Sequence, residues 1–530
     1  MSNITESKQH NQWNWHNFFV CLSLSCGAMA YGYPAAVIGT ILGQPSFLRY
    51  MKLVNEQGEE TPDAPSLIGS INGAFQAGAF FGVLCGGLVL DRWGRKAGII
   101  YCAILSIIGN TMCCAAQNVP MFIVFRFVSG GGSWAFLSST SVYVSELAPP
   151  KFRGFFTGMI GVAICIGFAL SGYLGLAFYS TDDLAAQWRG TLGLGLIFPV
   201  FMLIVVYFVP ESPRYLLLKG REEEARAIVI KLHHIKGAPD QEYARSEFYQ
   251  MQKEAEYDRS LTPSWKQMFT RSSYRNRVLI ACSFAVITQS TAVLVINNYA
   301  PSLFAALGYG VRDRLVLQCG YLTVAIPFNI LGAAIMDRVG RKKLMYWSVA
   351  GCCLFLIIEA AMLANFASPI PEHPNKAGLA MGVAAFYLFL AVFSVGVDVV
   401  AFVYYSEIFP NHIRAKGVTI CTSAYCLISL VYVEAAPTAF ANIGWKYFLV
   451  FIIISGLSAI FIYFVYPETK GIPLEEIAAI FGDADEVMVY SRNVHVNNDL
   501  EIEVYPTTES PQSISESAGK EGAAREAGTV

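Results

Sequence analysis

DRWGRK at residues 91–96 and DRVGRK at 337–342 are nearly the same hexapeptide, present twice in one chain. Each copy follows one long apolar run and opens the next, so each is a short charged turn between two apolar segments. Two further pairs keep the same order. SELAPPKFRG at 145–154 returns as SEIFPNHIRAKG at 406–417, and PESPR at 210–214 is echoed by PETKG at 467–471. Three pairs in matching order make the chain a parallel repeat of two halves.

The apolar runs say where those halves reside. Of 530 residues, 54% are hydrophobic and 14% charged, with mean hydropathy +0.45. A soluble domain carries about 25% charged residues. Twelve runs of roughly 20 residues, long enough to cross a hydrocarbon core of ~30 Å, fall near 17–43, 65–90, 97–116, 119–146, 154–178, 190–209, 277–306, 314–336, 342–366, 377–407, 415–440 and 445–466. Backbone polar groups must be satisfied internally in lipid, and no alternating barrel pattern is present, so these runs are helices. The fold class is an all-α membrane protein, twelve transmembrane helices in two six-helix pseudo-repeats.

Charge sets the orientation. The turns with Arg92, Arg95 and Lys96, with Lys151 and Arg153, with Arg338, Arg341, Lys342 and Lys343, and with Arg414 and Lys416 are basic. The alternate loops are neutral or acidic, as at Glu56, Glu59, Glu60 and Asp63. The positive-inside rule places both termini in the cytosol, of a cell's plasma membrane in the simplest case. The expected divisions are a cytosolic N-terminus (1–16), a first half (17–209), a cytosolic linker (210–276), a second half (277–466) and a cytosolic tail (467–530). In the linker, Ala225, Ile228, Val229 and Leu232 have helical spacing and predict an amphipathic helix. The tail beyond Gly482, rich in Ser, Glu, Gly and Thr, is expected to stay disordered. The 13 cysteines are scattered without a CxxC pair and read as packing residues.

The motif pairs, with PESPRYL (210–216) and PETKGIPLEEI (467–477), resemble the sugar porter family of the major facilitator superfamily, fungal members especially. The resemblance runs from about residue 18 to 482. It implies a secondary transporter that moves a sugar or polyol by alternating access, as a facilitator or a proton symporter. Its partners are then a small-molecule substrate, protons where coupled, and the bilayer. No cofactor, metal or nucleic acid is implied. No nucleotide loop, metal cluster or nucleophile elbow argues for an enzyme. Two other readings stay open: a transporter of a non-sugar metabolite, such as a quinate-like acid or specialised product, and a sensor that binds without transporting.

Charges of both signs gather at one membrane face. Asp91, Arg95, Glu146, Arg153, Glu211 and Arg214 belong to the first half, and Asp337, Arg341, Glu407, Arg414 and Glu468 to the second. Such a set can pair in one conformer and part in another, a gate suited to alternating access. Arg126, inside the fourth run, resembles the family's helix-4 arginine and is expected to pair with these acids.

The substrate-facing pattern of the family is broken. Gly161 stands where helix 5 usually carries glutamine, and Ala325 where helix 8 usually carries asparagine. The G-P-x-P-W segment of helix 10 becomes Asp398, Val399, Val400, Ala401 and Phe402. In helix 1, Gly32, Tyr33, Val37, Ile38 and Gly39 match a G-Y-D-x-x-V-I-G pattern, but Pro34 replaces its proton-binding acid. Other polar positions take helical spacing instead. Thr288, Thr291 and Asn298, with Gln289, mark helix 7. Ser394, Asp398 and Phe402 mark helix 10, and Thr422, Tyr425, Ser429 and Tyr432 mark helix 11. From these, Thr288, Gln289, Thr291, Asn298, Asp398, Phe402 and Tyr425 are the expected substrate contacts, with Asp398 the candidate for proton coupling. Glu359, also within a run, is expected to pack away from the cavity, and Glu434 to reach the membrane interface.

Overall fold

The computed structural model describes residues 14–55, 61–149, 152–234, 242–260, 265–366, 376–472, 477–483, 494–496 and 502–504. Eleven helical stretches are long and apolar enough to cross a membrane. The last of them, Ile413–Val465, has 53 residues. At 1.5 Å per residue that is roughly 80 Å, far more than one crossing needs. Gly444, at φ 54°, divides it into Asn411–Ile443 and Phe448–Val465. Twelve spans result, as the hydropathy pattern predicts.

In order they are Trp15–Leu42, Ala64–Trp93, Arg95–Cys114, Val119–Leu147, Arg153–Tyr179, Leu184–Phe208, Ser272–Ala306, Val311–Val339, Arg341–Asn365, Ala377–Tyr405, Asn411–Ile443 and Phe448–Val465. Their burial sorts them into layers. The most apolar windows of the first, fourth, seventh and tenth are 72, 67, 72 and 71% buried, those of the sixth and ninth only 39%. Spans 1, 4, 7 and 10 are thus central in both halves, and spans 6 and 9 are the more exposed. Between halves, span 2 packs on span 11, span 5 on span 8, and span 1 on the outer part of span 7.

The repeated hexapeptide is explained by backbone geometry. Gly94 and Gly340 sit at φ 99° and 102°, a region closed to side chains with a Cβ, and each lets one span end and the next begin within a single residue. Glu211 then caps the span that follows Gly94, accepting from the backbone of Arg95 (3.1 Å) and Lys96 (3.3 Å). Glu468 repeats the arrangement with Arg341 (2.8 Å) and Lys342 (3.1 Å). The acids of PESPR and PETKG thus satisfy helix N-termini in both halves.

Three central spans are interrupted. Span 1 tightens into a 3-10 turn at Cys26–Ala28, before Pro34. Span 7 breaks between Gln289 and Val293, with Ala292 at φ 66°. Span 10 widens into a π turn at Ser394–Asp398. Such turns often mark functional sites. Outside the spans, the linker helix Glu222–Leu232 buries Ala225, Val229 and Leu232, as its spacing predicts. The structure describes short parts of the tail expected to stay disordered. Strands β1 (Val494–Val496) and β2 (Ile502–Val504) pair antiparallel, and β1 packs on the linker helix Glu242–Ser260. Asp483 bonds Arg277 at 2.9 Å and Arg271 at 3.1 Å. These contacts dock the described part of the tail on the linker and span 7. The rest of the tail beyond 483 lies outside the described residues.

Candidate functional site

At the charged face the expected gate residues come together, chiefly within each half. Arg95 makes a bidentate pair with Glu146, through Nη2 at 2.6 Å and Nε at 2.8 Å, and Ser212 also bonds Glu146. Arg341 repeats this with Glu407 at 3.0 Å, adding Asp337 at 2.9 Å. Arg214 donates to the Glu146 carbonyl at 3.3 Å, and Arg414 to that of Phe409 at 3.3 Å. Arg153 is buried beside the same cluster, opening span 5. Among the described contacts that cross between halves, two involve the gate acids. Lys416 reaches Asp91 at 3.4 Å, and the Asp337 carboxylate accepts from the backbone of Phe155, against Gly154. The recurring acids therefore brace each half internally, while Asp91 and Asp337 hold the halves together.

Arg126 does not belong to this cluster, which corrects the expectation. It lies near the opposite end of span 4 from Glu146. Its Nη1 donates to the Pro34 carbonyl at 2.9 Å, and its guanidinium lies 4.2 Å from the centroid of Phe75. In span 1 the arginine thus meets Pro34, through its backbone carbonyl.

The opposite face is closed by contacts the sequence reading did not foresee. Asn72 donates to the Tyr299 hydroxyl at 3.0 Å, which donates in turn to the Val433 carbonyl at 3.0 Å, joining spans 2, 7 and 11. Gly39 packs against the backbone of Asn297 and Asn298, and Gly69 and Gly73 accommodate Glu434. Glu434 therefore packs on span 2 in addition to its exposure at the interface.

Between the closed faces lies a polar and aromatic cluster at mid-depth. Asp398 Oδ2 accepts from Asn329 Nδ2 at 2.9 Å and lies 3.6 Å from the Cys165 thiol. Asn329 also lies 3.0 Å from Cys165, so spans 5, 8 and 10 meet there. Asp398 keeps partial accessibility although it is central. Trp134 stands 4.5 Å from Tyr31 and 5.0 Å from Tyr425, centroid to centroid. The Asp398 carboxylate acts electrostatically on the Tyr31 and Tyr425 hydroxyls. Three buried polar atoms of this cluster have no hydrogen-bond partner among the described residues: Trp134 Nε1, Gln289 Nε2 and Asn329 Oδ1. Buried polar groups are normally bonded, and each orphan costs about 1–3 kcal/mol.

The expected contacts divide accordingly. Gln289, Asp398 and Tyr425 belong to the cluster. Thr288 and Thr291 do not offer their protons, since their hydroxyls donate to the Phe284 and Thr288 carbonyls at 2.8 and 2.7 Å. Asn298 turns its amide to the Leu294 carbonyl at 2.8 Å and sits at the outer closure. The single-face spacing failed here because span 7 is broken between these residues. Thr422 and Ser429 bond within their own helix, at 2.9 and 2.8 Å. The side chain of Phe402 lies outside the described residues. Glu359 is fully buried with neither oxygen bonded among the described residues, away from this cluster. Sequence reasoning missed Tyr31, Trp134, Cys165 and Asn329. Trp134 carried a signal, a large ring closing the small-residue run SGGGSW (129–134).

Two repeated halves closed at both faces around a mid-depth cluster define a membrane transporter of the major facilitator type. The chain belongs to the family of sugar (and other) transporters, whose profile matches residues 20–481. Relatives include an MFS-type transporter, criB, of Aspergillus cristatus, 29% identical and covering 92% of this chain and 98% of that one. A high-affinity glucose transporter of Kluyveromyces lactis is 28% identical over 88% of this chain and 86% of its own. Among solved structures, the proton:xylose symporter XylE bound to 6-bromo-6-deoxy-D-glucose superposes with TM-score 0.75 at 24% identity, covering 88% of this chain and all of that one (100%).

Proposed function

We propose that this transporter carries a sugar or polyol between the two faces by alternating access, with its charged face and both termini in the cytosol and the plasma membrane as its location. The observation that carries the reading is the mid-depth set of unpartnered donors and acceptors, on Trp134, Gln289 and Asn329, beside the aromatic rings of Tyr31 and Tyr425. A hydroxyl both donates and accepts, so a polyhydroxylated ligand suits a mixed set of this kind. Relatives named for glucose, arabinose and hexose transport support the same substrate class.

The charged face serves as one gate, opened when Lys416 leaves Asp91 and Asp337 leaves the start of span 5. Asp398 is the coupling carboxylate where coupling occurs, because Pro34 leaves span 1 without one. Counterflow in proteoliposomes with labelled hexoses, pentoses and polyols tests the reading. Exchange of at least one of them is expected. Exchange of a non-sugar metabolite alone would move the protein out of this substrate class.

A further inference from the structure

The acceptors of the central cluster have more to say about the ligand. Asp398 is held by one amide and one thiol, and no lysine or arginine among the described residues comes within ion-pair distance of it. A carboxylate deep in a membrane protein ordinarily pairs with a cation or another partner. Beyond these two contacts, the Asp398 charge is felt by Tyr31 and Tyr425, whose rings pack on either side of Trp134, with Phe168 6.3 Å from Tyr31. Aromatic faces around a carboxylate are the surroundings that bind organic ammonium groups, by cation–π attraction added to the ion pair. Asn329 Oδ1 supplies a further acceptor beside Asp398 without a donor of its own. The donors Trp134 Nε1 and Gln289 Nε2 lie on other spans, 4 and 7.

We propose that Asp398 and Asn329, walled by Tyr31, Trp134 and Tyr425, take the protonated amino group of an amino-substituted sugar or polyol. This deepens the sugar reading of the same site and rests on it. An ammonium has three N–H donors and no acceptor, which suits Asp398 and Asn329 Oδ1. The ligand's hydroxyls then face Gln289 and Trp134. A neutral sugar leaves the carboxylate to be neutralised by a proton, whereas an amino sugar brings the charge itself.

The test is competition against labelled glucose in counterflow by the intact purified protein. Glucosamine, N-acetylglucosamine and ethanolamine are compared at a pH where the amines are protonated. Glucosamine is expected to compete at about tenfold lower concentration than N-acetylglucosamine, which keeps the ring and loses the charge. Asp398→Asn is expected to abolish that difference. A thermal-shift comparison on the native protein gives the same ranking without depending on the variant's folding. Equal potency of the two sugars in the native protein overturns the proposal while leaving the sugar reading intact. Exchange of labelled ethanolamine with none of any sugar or polyol would overturn both.

Discussion

Gly161 shows how one residue's meaning depends on what faces it. By position it is a lost amide, since the family's helix 5 usually carries glutamine there. In space a Cβ at 161 would lie 2.5 Å from Asn329 Oδ1 and 3.7 Å from Val399 Cα, so the absent side chain makes room for an amide from span 8. Asn329 is four residues beyond Ala325, where helix 8 was expected to carry one. The Gly161→Ala variant is expected to lose about 1–3 kcal/mol by overpacking and to push Asn329 off Asp398. Thermal unfolding in detergent and counterflow rate both read it, and two unchanged values would show that Asn329 is not pinned there. Pro34 has a similar lesson. Its lack of an acid was legible in the sequence, but the company of Arg126 was not, because a backbone carbonyl leaves no mark in the residue alphabet. Intramembrane position alone suggested an acidic partner, and a carbonyl with an aromatic face supplied the alternative.

At the scale of elements, the amphipathic linker helix Glu222–Leu232 was legible from its period. Its anchoring was not, since that depends on single polar contacts far apart in sequence. His233, which follows the helix, is 3% exposed and bonds Glu247 at 2.5 Å through Nδ1 and the Leu147 carbonyl at 3.1 Å through Nε2. The linker thus grips the end of span 4 one residue past the gate acid Glu146. Burial pushes the His233 pKa down, but the Glu247 charge, its hydrogen bond and the Leu147 carbonyl outweigh this against an opposing Arg214, and the net shift is upward. A group with a raised folded pKa stabilises fully below its unfolded value, ~6.5 for histidine, and loses that contribution as pH rises through the folded value. Docking of this helix is therefore expected to be tight near pH ~6 and to loosen at alkaline pH. Hydrogen exchange over residues 222–232 measures it, with Glu247→Gln expected to flatten the dependence. A native profile that does not change over the same range would remove His233 as the anchor.

At the scale of the molecule, the two-half architecture was legible because duplication and hydropathy are written in the chain directly. The conformation was not, because closure depends on which atoms cross between halves. Here both faces are shut. Span 1 meets span 7 where a Cβ on Gly39 would lie 2.8 Å from the Asn298 carbonyl oxygen. Near the charged face, Gly87 packs directly on Thr419, whose hydroxyl is fixed by the Ala415 carbonyl at 2.7 Å. These two glycines let the halves touch at opposite ends, and cores of this density yield by switching between arrangements rather than by deforming. A large side chain at either position should therefore prop open one face only. Cys165, 1% exposed at mid-depth and in contact with Asp398 and Asn329, is a native reporter between them. Gly39→Phe is expected to make Cys165 reactive to a membrane-impermeant thiol reagent added on the face remote from the termini. Gly87→Phe is expected to do the same only from the charged face. Peptide mapping separates Cys165 from the other cysteines, and transport should fall in both variants, since each is held on one side of the cycle. Labelling of Cys165 from the same face in both would mean that the two contacts do not act as separate gates. Labelling from neither, with transport retained, would mean that the halves do not part at these glycines at all.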